Sequence, residues 1–103
     1  MVSRGDIWLV QPEIGDGAAA HPCAVLSPPE IHDHLGVVIV APIAAGKASA
    51  GFRVPLALDG QASALRLEQV RAIDTRRLTR QVGALERKQL NAALSALREM
   101  FTE

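Results

Sequence analysis

The chain has 103 residues, enough for one small domain spanning 1–103, and 49% of them are hydrophobic, enough for a core. Its formal net charge is zero and its aromatics are Trp8, Phe52 and Phe101, which excludes a nucleic-acid binder driven by overall charge and a surface that stacks many bases. Cys23 is alone and no apolar run approaches the ~18–20 residues of a membrane span, so the expectation is a soluble cytoplasmic protein with no disulfide, membrane segment, metal or cofactor.

Gly5–Gln11 reads as a first strand, rich in β-formers and stopped by Pro12. Pro12–Ala20, with Gly15, Asp16 and Gly17, reads as a flexible loop. Pro22–Ser27 is a short apolar strand ended by Pro28-Pro29; within it Cys23 is expected as a buried, inert thiol. Glu30–Leu35 reads as a polar turn. Its His32, Asp33 and His34 lack further ligands nearby and are expected in solvent rather than on a metal. Gly36–Ala41 is the most β-branched run and lacks alternation, so it should be a strand buried on both faces and ended by Pro42. Ala44–Gly51 is small and flexible, a mobile loop. Phe52–Leu58 alternates, with Pro55 marking an edge strand, and Asp59-Gly60 is a turn signal.

Leu65–Asp74 is the stretch around which the rest is organised. From Ala64 to Gln69 apolar and polar residues nearly alternate, which predicts a strand with Leu65 and Leu67 on one face and Arg66 and Glu68 on the other. A cation and a possible proton acceptor then stand side by side. On pattern alone a solvated sheet face with a weak ion pair, worth about 0–1 kcal/mol, is the stronger reading, and the rest of the chain shifts the balance. Residues 66–80 carry five arginines (Arg66, Arg71, Arg76, Arg77, Arg80) against Glu68 and Asp74, a locally basic segment. Thr75–Leu78 reads as a helical turn capped by Asp74 or Thr75. Arg80–Ala84 reads as a last short strand. From Leu85 to Phe101 the period becomes helical, with Leu90, Leu94, Leu97 and Phe101 on one stripe. Short strands followed by one amphipathic helix predict a mainly β fold, a small barrel with a C-terminal helix packed on it.

These segments together resemble the MazF/PemK (Kid) family of toxin ribonucleases, the mRNA interferases. The resemblance rests on Arg4-Gly-Asp-Ile-Trp-Leu-Val10, Pro22–Ser27, Val38-Ile-Val-Ala-Pro-Ile43, Ala50-Gly-Phe-Arg-Val-Pro-Leu56, Arg66-Leu-Glu-Gln-Val-Arg-Ala-Ile-Asp74 and the closing helix, in that order. It implies an SH3-like barrel and a two-fold homodimer whose groove takes single-stranded RNA. It also implies an antitoxin that blocks that groove and binds DNA together with the toxin. It implies cleavage without a metal or cofactor, by attack of a ribose 2′-hydroxyl on the adjacent phosphate. That chemistry needs a base, an acid and cations around the phosphorane. The family's Arg-x-Asp pair corresponds to Arg66-Leu67-Glu68. Glu68 is then the base, and Arg66, always charged, is better suited to electrostatic stabilisation than to giving up a proton. Arg71, Arg53 and Lys47 are the implied RNA contacts.

Two positions depart from the family pattern. His21-Pro22 stands where many members have Arg-Pro, and Ala44-Ala45 stands where a threonine hydroxyl usually serves the scissile phosphate. Histidine titrates near neutral pH and can do acid–base work, so His21 joins Glu68 and Arg66 as a candidate catalytic residue. An ordinary loop residue before a proline is an equally weighted reading. Alanine has no polar role to offer. The alternative function is therefore a cleavage-poor member that binds RNA or antitoxin. A gyrase poison like CcdB, with the same fold, ranks last, because the chain ends Met100-Phe101-Thr102-Glu103 rather than in Trp-Gly-Ile.

Overall fold

The computed structural model describes residues 2–12, 19–47 and 51–103. Much of the two expected flexible loops, at 13–18 and 48–50, lies outside the described residues, as does Met1.

Among the described residues seven strands form one antiparallel sheet: β1 (Asp6–Val10), β2 (His21–Val25), β3 (Val37–Ala45), β4 (Arg53–Leu58), β5 (Gln61–Arg66), β6 (Arg71–Asp74) and β7 (Leu78–Ala84). Their order is β4-β5-β3-β2-β1-β7, with β6 also paired to β3. A short helix α1 (Pro29–Leu35) joins β2 to β3, and α2 (Arg87–Met100) closes the chain. This is the mainly β, helix-closed architecture expected from the sequence.

The sheet buries side chains on both faces. One cluster gathers Ile7, Ala24, Leu26, Ala41, Ile43, Val54, Leu56, Leu65, Leu67 and Ala93, with Leu90, Ala96, Leu97 and Met100 of α2 packed against it. The other gathers Val10, Cys23, Val25, Val38, Val40 and Ile73, with Trp8 against it. β3 feeds both: Val38 and Val40 enter the second cluster, Ala41 and Ile43 the first. Strand alternation does this without a bulge, and it explains why the β3 sequence is apolar throughout.

Pro42 does not end β3, contrary to expectation; the strand runs on to Ala45. The amide and carbonyl of Ile39 point toward Ser27 and Leu26, on the β2 side. Backbone groups alternate along a strand, so those of Pro42 point the other way, toward β5 and β6. There the ladder is interrupted. Ile43 faces Leu65 while Val40 faces Arg71, so three steps along β3 are matched by six along its partner. The surplus residues form a 3-10 turn at Leu67–Gln69. Proline's missing donor therefore falls in a gap where no donor is needed.

The same turn corrects the reading of 64–69 as one strand: β5 stops at Arg66, and Glu68 sits in the turn. Glu30–Leu35 is likewise a helix, not a turn, with Pro29 at its start and Gly36 at φ +67° as its left-handed cap. His32 is half-buried, its Nε2 2.7 Å from Ser27 Oγ, rather than free in solvent. The expected Asp59-Gly60 turn closes the β4–β5 hairpin, both residues having positive φ. Asp74 caps the 3-10 turn Thr75–Arg77 by accepting from the Arg76 amide at 2.8 Å. β7 starts two residues earlier than expected, at Leu78. In α2 a capping box links Glu86 and Gln89, Leu90 and Leu97 pack inward, and Phe101 lies past the helix end, 76% exposed.

Candidate active site

The two-residue turn at Asp59-Gly60 sets the hairpin register, and that register puts Arg53 opposite Arg66. Val54 and Leu65, their neighbours, enter the cluster under α2. Arg53 and Arg66 therefore project from the other face, side by side. Two like charges in such a pair repel. The 3-10 turn after Arg66 returns Glu68 to them. Leu67 is fully buried and anchors the turn; its amide donates to the carbonyl of Phe52 at 3.1 Å. Phe52 itself has φ +63°, unusual for a bulky residue, and the bond to Leu67 fixes the chain just before Arg53.

Arg53 donates to Glu68 Oε2 from Nε at 3.0 Å and from Nη2 at 2.6 Å. The side chains are 24% and 36% exposed, so water reaches the pair. Hydrogen bonding to Arg53 holds the Glu68 carboxyl below its ordinary pKa, opposed by desolvation and helped by the charge of Arg66. The same bond raises Arg53. Arg66 makes no hydrogen bond or ion pair among the described residues, and its Nε is buried without a partner. The cluster thus offers a carboxylate held in its charged form and, beside it, a second guanidinium with no partner among the described residues.

The other predicted residues lie on the same side of the sheet at greater distance. His21 is the exposed first residue of β2, opposite Val10. β3 lies between β2 and β5, so two strand spacings, about 10 Å, separate its strand from that of Arg66. Arg71 starts β6 opposite Val40, exposed and following Arg66 along β3. Lys47 lines a groove of about 530 Å³ with Pro55 and Ala57, which share the Arg53 face of β4. Ala44 is half-buried, opposite Ala64, with no hydroxyl to present. Cys23 is fully buried and burial pushes its thiol pKa up, against the opposing influence of Arg71 and Arg77, as expected of an inert thiol. No group of three or more His, Cys, Asp or Glu able to hold a metal occurs among the described residues. No described helix is long and apolar enough to cross a membrane.

Sequence reasoning named Arg53 but missed its partnership with Glu68. A signal was available: six steps outward on either side of Asp59-Gly60 lie Arg53 and Arg66. It also missed the contact between Ser27 and His32, for which spacing gives no cue.

Comparison with known proteins identifies the family. No curated protein matches the sequence. Among solved structures, the Mycobacterium tuberculosis toxin MazF-mt6 is 26% identical, with a TM-score of 0.77 over 93% of this chain and 95% of that one. MazF in a MazE–MazF structure from Deinococcus radiodurans shares the fold at 19% identity, TM-score 0.80, covering 96% of this chain and 94% of that one. So does an endoribonuclease in complex with its cognate antitoxin from a mycobacterial species, at 15% identity, TM-score 0.79 and coverage of 96% and 93%. The family of PemK-like, MazF-like toxins of type II toxin–antitoxin systems matches residues 3–101. The chain therefore belongs to the PemK-like, MazF-like toxins of type II toxin–antitoxin systems.

Proposed function

We propose that this toxin is an endoribonuclease of the cytoplasm that cleaves single-stranded mRNA without a metal ion. The observation that carries the reading is the Glu68 carboxylate, held by Arg53 next to an Arg66 guanidinium that has no partner among the described residues. Glu68 takes the proton of a ribose 2′-hydroxyl as general base. The 2′-oxygen attacks the adjacent phosphorus, the bond to the 5′-oxygen breaks, and that oxygen takes up a proton. The products are a 2′,3′-cyclic phosphate and a 5′-hydroxyl. Arg66 stabilises the phosphorane charge. His21 is the candidate acid, brought within reach by the path of the RNA across β3. Arg71 and Lys47 hold flanking phosphates.

The chain acts as a homodimer and is silenced by a cognate antitoxin. The mycobacterial endoribonuclease in complex with its antitoxin and the Deinococcus MazE–MazF structures support that partnership.

A second reading, binding without efficient cleavage, is favoured by Ala44, which supplies no donor at the scissile phosphate. Loss of one such donor costs on the order of 10²–10³ in rate. Incubation with long single-stranded RNA in EDTA decides between them. The expected result is discrete fragments with cyclic-phosphate ends from the wild-type protein and none from Glu68→Gln. Intact RNA bound by a folded wild-type protein would establish the second reading instead.

A further inference from the structure

We infer that Arg53 is the positioning residue for Glu68: its guanidinium fork fixes the carboxylate in the orientation from which it takes the 2′-hydroxyl proton, and leaves Arg66 free for the phosphate. This rests on the ribonuclease reading above. The bonds of 3.0 and 2.6 Å from two nitrogens of one guanidinium converge on Oε2. That geometry leaves Oε1 as the oxygen available to a hydroxyl. It also divides the charges. Without Glu68, Arg53 and Arg66 would face each other as bare like charges. With Glu68 drawn to Arg53, one cation is neutralised and the other keeps its donors.

Among the described residues no other side chain on the neighbouring elements competes with Arg53 for Glu68. The turn that carries it packs against β3, β4 and α2. β3 has no charged residue, Arg53 is the only charge of β4, and the residues that α2 packs inward are apolar. Arg66, the residue before the turn, is the other cation that acts on it. The pair is too exposed to be a core requirement.

The test measures RNA cleavage against pH for wild type, Arg53→Met and Arg53→Lys, together with an NMR titration of the Glu68 carboxyl carbon. Wild-type kcat/KM should keep its acid limb below the ordinary carboxylate range. In Arg53→Met that limb and the Glu68 titration should both move up. At neutral pH Glu68 is ionised in either protein, so the loss there reports orientation; it should fall on kcat rather than KM, by up to about 10²-fold. Arg53→Lys should keep the low acid limb and recover part of kcat, since it retains charge without the fork. A wild type that cleaves, with limb and titration unmoved in Arg53→Met, would overturn the assignment alone. So would a loss confined to KM with a shallower salt dependence, the mark of a phosphate contact. A folded wild type that cleaves at no pH would overturn the ribonuclease reading and this assignment with it.

Discussion

Asp74 shows what a single exposed carboxylate does in this chain. It caps the turn Thr75–Arg77 and accepts from both the amide and the guanidinium of Arg76. These bonds pull its pKa down to about 2. An unfolded aspartate titrates near about 3.9. A depressed folded pKa gives stability that is complete above the unfolded value and is lost as pH falls through the folded one. Stability should therefore decline between about pH 4 and about pH 2, and Asp74→Asn should flatten that decline; urea midpoints measured across the range will show it. The effect is small, because solvent screens an exposed pair. Asp74 was legible in the sequence as one of two candidate caps, with Thr75, since capping is a local property read from adjacent residues. The bond between Arg53 and Glu68 was not, since fifteen positions separate them and periodicity says nothing of partners across a hairpin.

Among the elements, Leu65–Asp74 was legible in its role and misread in its form. The alternation that predicted one strand is real, and Leu65 and Leu67 are both fully buried. A 3-10 turn nonetheless keeps Leu67 in the core while lifting Glu68 out of the sheet, because the surplus residues opposite β3 must leave the ladder. Alternation records which side chains are buried, not whether the backbone between them stays paired. Pro42 was misread for a related reason: a proline breaks a strand only where its amide is wanted. Leu67→Ala tests the coupling of core to site. It should cost about 2–5 kcal/mol in urea unfolding, and at a temperature where the variant stays folded its RNA cleavage should fall too, since Leu67 holds the turn that carries Glu68. Cleavage at the wild-type rate would show that the turn keeps its shape without that anchor.

Across the whole molecule, the order of strand-like segments and the closing helix could be read from turn residues and periodicity, which are local. The pairing of β1 with β7, the first strand with the last, could not. Net charge was legible but its distribution was not: a neutral chain sets Arg53 and Arg66 side by side on the sheet face opposite the cluster that α2 covers. The position of β4 has a further consequence. Among the described residues it ends the strand order and pairs with β5 alone, and it carries Pro55, a residue suited to an edge. Border strands are held from one side and open by local fluctuations that leave the interior intact. Arg53 would leave Glu68 in each such opening. The toxin should thus lose its chemistry before it loses its fold. In native-state hydrogen exchange, β4 amides should exchange through openings of lower free energy than those of β2 and β3. In a urea series, cleavage should fall at lower concentration than the helical circular-dichroism signal of α2. Equal protection in β4 and β2, with coincident midpoints, would mean instead that site and scaffold come apart as one unit.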